Sequence, residues 1–351
     1  MSADPIAVME AAPHTTSSPR TRMPHRPRLG FLGVGWIGRN RMEAIAMDGA
    51  AEIVAIADAD AQMRDAAREL EPGAASLASI DALLDLPLDG LVIATPSALH
   101  AQQAEAALAR GIAVFCQKPL ARTSAETRSV IDAARRADRL LGVDLSYRRT
   151  QAMQRVRECV EAGTIGEVYA VDLVFHNAYG PDKPWFRDPK LSGGGCVIDL
   201  GIHMVDLALW TLGFPRVQSV SSSLHAGGRK LVLPSAEVED HAVAQLELAN
   251  GCVVRLACSW NLPAGRDAVI EAHFHGTRGG AAMRNIDGSF YDFIAERFEG
   301  TRALPLAVPP DAWGGRAAVH WARVLAAGGR FDPEVARLAQ VAEVLDAIYA
   351  R

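Results

Sequence analysis

Arg28-Leu-Gly-Phe-Leu-Gly33-Val-Gly35-Trp36-Ile37-Gly38, followed by Glu52-Ile-Val-Ala-Ile-Ala-Asp58, is the stretch on which the fold turns. A short apolar run that breaks into Gly-x-Gly-x-x-Gly, and then into a helical stretch from about Trp36 to Met47, reads as strand, tight turn and helix. Each glycine has a physical task. Gly33 permits the tight turn, Gly35 lets the backbone approach a pyrophosphate, and Gly38 lets the helix pack closely on the strand. The helix start, with Trp36 and Ile37 in its first turn, offers free N–H groups and a partial positive charge to phosphates. Asp58 closes the second strand 20 residues after Gly38, where a carboxylate can accept both hydroxyls of an adenosine ribose. Ala59 and Asp60 follow it rather than an arginine, so a ribose 2′-phosphate would meet repulsion and no cation. NAD is therefore expected over NADP.

The alternation continues through GLVIATP (90–96), a helix over 101–110, AVFCQKP (113–119), a helix over 124–137 and LLGVDLSYR (140–148). Strand and helix in alternation imply an α/β fold, here a doubly wound parallel sheet over residues 28–148. The style then changes. After a helix over 151–162, the runs VYAVDLVFH, VQSVSSSLH, AVAQLELAN, CVVRLACSW and AVIEAHFHG follow, with helices at 201–212 and 333–349. Several strands with few helices between them predict a large, open, mostly antiparallel sheet in a second, substrate-binding domain over 149–351.

Composition narrows the function. The chain has 351 residues, 49% of them hydrophobic, enough for two cores. Its 36 basic and 41 acidic residues form no basic stripe, which argues against a nucleic-acid partner. No uninterrupted apolar run reaches the ~18 residues of a membrane span, so a soluble protein with no membrane partner is expected. The cysteines, Cys116, Cys159, Cys196, Cys252 and Cys258, are odd in number and never spaced as CxxC, which fits a reducing cytoplasm without a disulfide framework or structural zinc. Residues 1–27 read as a disordered tail, and Met23 is an alternative start.

Lys118-Pro119 falls where a parallel strand runs out, the place where open α/β sheets bind ligands. Lys118 can hold positive charge beside an alcohol oxygen and a nicotinamide; Pro119 is either a turn residue or a cis peptide. Thr95, Pro96 and His100 end the preceding strand and begin the next helix, at the nicotinamide half of the same site; His100 reads equally as a helix cap. The run from Ser192 to Asp206, SGGGCVIDLGIHMVD, sets Asp199 and His203 four apart and Asp206 three further, on one face of a helix beginning near Ile198. A histidine there can take and return a proton near neutral pH, and a carboxylate one turn away can orient it or grip a substrate. Asp-x3-His-x2-Asp is also a metal-ligand spacing, but with no second histidine nearby no metal is expected. Asp206 reads equally as a packing residue. Trp185, Phe186, Tyr179, His176, Trp260 and Asn261 are candidates for a sugar pocket or for core, and His241 for a packed strand position.

These motifs together resemble the Gfo/Idh/MocA oxidoreductases: the glycine fingerprint, ATP with His100 after it, QKP at 117–119, GTIGEV at 163–168 and the 192–206 run. The resemblance implies hydride transfer between a nicotinamide dinucleotide and a hydroxyl-bearing carbon of a sugar, cyclitol or sugar derivative. It implies Lys118, Asp199 and His203 as the catalytic set, and a homodimer or homotetramer formed through the second sheet. The family usually has Glu before Lys-Pro; Gln117 keeps the shape but loses the charge. Two other readings are redox-assisted glycoside cleavage with the cofactor regenerated each cycle, and a non-catalytic dinucleotide-sensing scaffold.

Overall fold

The structure is a computed structural model that describes residues 26–350. The expected tail and Met23 lie outside the described residues, apart from Arg26 and Pro27; Pro27 is buried and its carbonyl accepts from Glu52 N at 2.9 Å.

The first unit is built from β1 (Arg28–Leu32), α1 (Trp36–Asp48), β2 (Glu52–Ala57), α2 (Ala61–Arg68), β3 (Ala75–Leu77), α3 (Ile80–Leu84), β4 (Gly90–Ile93), α4 (Ser97–Ala109), β5 (Ala113–Cys116), α5 (Ser124–Ala137) and β6 (Leu141–Val143). Its six strands pair in parallel in the order β3-β2-β1-β4-β5-β6, so the chain winds outward in both directions from β1. Strands β1, β4 and β5 are apolar runs buried along almost their whole length, as strands covered by helices on both faces must be. Asp60, Ser79 and Thr123 start α2, α3 and α5 by accepting from backbone N–H groups two or three residues on. Two elements were not expected: β3 is three residues long and α3 five. Helix α4 begins at Ser97, four residues before the expected start.

The second unit continues with α6 (Gln151–Glu161), β7 (Val168–Asn177), α7 (Pro189–Ser192), a π-helical turn (Val197–Gly201), α8 (Ile202–Thr211), β8 (Val217–Ala226), β9 (Arg229–Lys230), β10 (His241–Leu248), β11 (Val253–Ser259), β12 (Ala268–Gly276), β13 (Gly279–Asn285), β14 (Phe293–Glu299) and β15 (Arg302–Ala307). The nine strands run β15-β14-β13-β12-β7-β11-β10-β8-β9, all antiparallel neighbours except β7 with β11. Strand β10 alternates strictly between buried and exposed positions, so helices cover one face and the other stays open. The stretch 189–211 is long and apolar enough to cross a membrane by length and composition, although Asp199 and Asp206 interrupt it as expected; 89% of its apolar window is buried inside this second core.

The chain then returns to the first unit. Helix α9 (Arg316–Ala326) sets Trp321 against Phe115, ring centroids 5.7 Å apart, in the core under β1, β4 and β5. Gly90 and Gly142 make the space: a Cβ at either would lie 2.6 or 2.8 Å from the indole. Helix α10 (Arg337–Ile348) packs against α5 of the first unit and α8 of the second. The two units are thus clamped by the C-terminal segment, and the carboxyl ends of the parallel strands face the second sheet across a cleft.

Candidate active site

Gly33 adopts φ +81°, and a Cβ there would lie 2.7 Å from the Ala94 backbone. A Cβ at Gly38 would lie 2.1 Å from the Gly33 carbonyl oxygen, so helix α1 approaches β1 as closely as only glycine allows. Gly35 is different. Nothing lies within 4 Å of its would-be Cβ, and no side chain caps the helix it begins. The first turn of α1 therefore offers its N–H groups to open space. Asp58 Oδ2 accepts from Val34 N at 2.9 Å and Oδ1 from Asp60 N at 2.9 Å, which ties the carboxylate at the end of β2 to the glycine turn. The turn, the helix start and the fixed carboxylate match the phosphates and ribose of a dinucleotide in shape and in donor set. Arg64 was not expected here. Its guanidinium donates to the Asp58 carbonyl at 2.6 Å, bringing one cation to the ribose end.

A cleft of about 980 Å³ runs from this turn to the second sheet. Gly33, Gly35, Trp36, Ile37 and Asp58 line one end; Thr95, Pro96, His100, Gln117 and Lys118 line the middle. Asp199 and His203 line the far end with Trp185 and Phe186, which stack on each other at 3.8 Å. Gly38 lies beneath the turn and does not line the cleft.

Lys118 Nζ donates to Asp199 Oδ1 and to the Asp199 carbonyl, both at 2.7 Å, across the boundary between the two units. Trp260 Nε1 holds the other carboxylate oxygen, Oδ2, at 3.1 Å. Asp199 is thus occupied in orienting Lys118, where the sequence suggested a grip on substrate or on His203. The Lys118–Pro119 bond is cis, the second of the two readings of Pro119. His100 is buried, with Nδ1 2.7 Å from the Pro119 carbonyl and Nε2 2.7 Å from the Thr95 carbonyl. Burial lowers its pKa against the pull of these carbonyls. The ring bridges the ends of β4 and β5 and holds the Lys118 segment in place.

His203 is buried beneath the cleft with Tyr147 edge-on at 4.8 Å, and its Nδ1 has no hydrogen-bond partner among the described residues. Burial holds its pKa well below 6.5, helped by the positive charges of Lys118 and Arg41. The free protein thus carries a neutral imidazole well into the acidic range, and the acid limb of kcat/KM governed by His203 should fall below pH 6.5. A pH profile of the oxidation reaction checks this; an acid limb at or above 6.5 contradicts it.

Asp206 does not line the cleft with Asp199 and His203. It is buried in a bidentate pair with Arg148, whose guanidinium lies over Trp210 and Phe214, outside the cleft. Asp199 lies in the π-helical turn before α8, so the regular four-residue spacing expected between Asp199 and His203 does not hold there. His176 faces the open side of the second sheet, bonded to Ser259 and stacked with His241, and Tyr179 is an exposed ring near Phe290. Asn261 sits in a left-handed turn beside Gly180.

Three supporting groups were not foreseen. Glu239, buried, accepts from Gly195 N at 3.0 Å, Val197 N at 2.9 Å and the Tyr349 hydroxyl at 2.7 Å, holding the glycine loop that leads into Asp199. A Cβ at Gly195 would lie 1.9 Å from the Glu239 carbonyl oxygen, so this loop needs glycine for contact rather than for flexibility. Arg41 and Asp144 form a buried ion pair at 2.6 Å under Gln117. Contacts spanning 42 to 110 residues leave no local pattern to read.

The chain matches two family models, one described as an oxidoreductase family with an NAD-binding Rossmann fold over residues 28–145, the other as a GFO/IDH/MocA C-terminal domain over 153–282. It is 32% identical to the D-glucoside 3-dehydrogenase of Escherichia coli over 57% of this chain; the matched stretch spans 60% of that enzyme's length. It is 29% identical to the inositol 2-dehydrogenase of Rhizobium meliloti over 74% of this chain and 76% of that enzyme. A solved levoglucosan dehydrogenase in complex with NADH and levoglucosan superposes with a TM-score of 0.78 at 25% identity, covering 92% of this chain and 96% of that one.

Proposed function

Because this chain belongs to the GFO/IDH/MocA oxidoreductases, we propose that it moves a hydride between NAD and a hydroxyl-bearing carbon of a ring-shaped polyol, a sugar, cyclitol or sugar derivative. One observation carries the reading: the Lys118–Asp199 pair and His203 line the same cleft as the glycine turn and Asp58. Bound there, the dinucleotide supplies the hydride acceptor or donor. His203, neutral because it is buried, takes the hydroxyl proton. Lys118, aimed by Asp199, stabilises the negative charge that develops on that oxygen. Trp185 and Phe186 offer apolar faces against which a sugar ring can lie, its hydroxyls turned to the polar groups. The substrates named for the relatives, glucosides, inositol and levoglucosan, support a ring of this kind.

NAD is favoured over NADP because a 2′-phosphate at this ribose would meet the Asp58 carboxylate with Asp60 beside it, offset among the described residues by Arg64 on the Asp58 carbonyl. The test is a screen of cyclitols, aldoses, sugar acids and amino sugars with each coenzyme, in both directions. Turnover with NAD on at least one ring polyol is expected, with Asp58→Ala weakening NAD by about tenfold or more while sparing NADP. Binding of coenzyme with no turnover across the panel would sink the reading.

A further inference from the structure

We propose that Asp144 accepts a hydrogen bond from the nicotinamide half of the dinucleotide, from either the carboxamide N–H or a ribose hydroxyl; the proposal rests on the dinucleotide reading of the cleft. Asp144 follows β6, and its N–H donates to the Cys116 carbonyl at 2.9 Å, so it stands beside Gln117 and Lys118. The sheet order fixes which half of the ligand it meets. With phosphates at the end of β1 and the adenosine ribose at the end of β2, the rest of the molecule extends the other way, over β4 and β5 toward β6.

The carboxylate is 1% exposed, yet Asp144 lines the cleft. Its two oxygens differ. Oδ2 is fully engaged, accepting from Arg41 Nε and Gln117 Nε2, each at 2.6 Å. Oδ1 has no partner among the described residues. A buried carboxylate oxygen left bare is costly, and such a group in a ligand cleft is explained when the ligand brings the donor. Arg41 and Gln117, both donors here, fix which oxygen is turned away from the protein's own partners.

That geometry makes a test by amide orientation. In Asp144→Asn, Arg41 requires an oxygen at the position where Oδ2 stood, which Gln117 also meets as a donor, so the new NH2 turns to the Oδ1 position and meets the ligand's donor. In the double variant Gln117→Glu/Asp144→Asn, the new carboxylate draws Arg41 away from position 144 and accepts from the NH2 of the amide introduced there, which returns the amide oxygen to the ligand. The three proteins are titrated calorimetrically with NADH, ADP-ribose and ADP, and their melting temperatures recorded. Asp144→Asn should lose about tenfold or more in NADH affinity with ADP unchanged, and the double variant should recover to within about threefold of wild type. Loss of ADP-ribose affinity alongside NADH assigns the donor to the ribose; unchanged ADP-ribose assigns it to the carboxamide.

NADH affinity untouched by Asp144→Asn would overturn the proposal, Oδ1 then being served by a trapped water. So would ADP weakened as much as NADH, or a double variant no tighter than the single one. If Asp144→Asn melts too early to titrate, the double variant decides: near-wild-type affinity supports the proposal, a tenfold loss overturns it. Wild-type protein that binds neither NADH nor ADP is a separate failure, that of the dinucleotide reading itself.

Discussion

His203→Ala should lower kcat by about 10²- to 10⁴-fold with NADH affinity close to wild type. The ring lines the far end of the cleft, remote from the glycine turn, so on the proposed mechanism its removal takes away the proton acceptor and leaves the phosphate and adenosine-ribose contacts in place. Its neutral state in the free protein makes it fit to accept a proton at neutral pH. Truncation gives up no Nδ1 hydrogen bond within the protein, and a melting temperature recorded alongside separates any packing loss from the kinetic one. Steady-state kinetics on a substrate from the screen, with NADH titration alongside, measure both quantities. A kcat within about threefold of wild type would remove His203 from the mechanism.

Gly35→Asp should abolish coenzyme binding, by at least about a hundredfold, while the protein folds and melts as wild type. The two halves of this expectation have separate origins. Gly35 has φ −61°, which any residue adopts, and its would-be Cβ faces nothing within 4 Å, so the side chain meets no steric resistance. That same empty space is where the phosphates must come, and a carboxylate at the helix N-cap would occupy it and repel them. Gly38→Ala is not an equivalent test, because its Cβ would strike the Gly33 carbonyl and damage the fold. Retention of NADH affinity in Gly35→Asp would mean that the phosphates bind elsewhere.

How far the sequence was legible follows the range of the interactions. The first unit was readable because its signals are local: glycines at 33, 35 and 38 and an acidic strand end 20 residues on leave few geometries open. Strand β3 was not, since Ala75–Leu77 is too short and too exposed to show a period. Strand β13 was hidden by Gly279-Gly-Ala-Ala, small residues buried consecutively rather than in alternation. Within the site, Lys118, Asp199 and His203 were singled out by their residue types and spacing. The pairing of Lys118 with Asp199 spans 81 residues, and nothing near either residue announces it. The single-face reading of Asp199, His203 and Asp206 assumed a regular helix from near Ile198; residues 197–201 form a π-helical turn instead, and Asp206 is taken up by Arg148. Arg41, Asp144 and Glu239 are buried charges whose partners come from distant strands and loops, and only the folded arrangement shows that they hold the cleft together.

On this reading one cleft carries the dinucleotide cradle and the proton-handling groups face to face, and a crystal structure of the protein with NADH decides it. The pyrophosphate should lie on the backbone of Gly35 and the first turn of α1, the adenosine ribose on Asp58, and the reactive ring carbon within about 4 Å of the space between Lys118 and His203. A dinucleotide bound with its nicotinamide turned away from both side chains, or bound outside this cleft, would contradict the account.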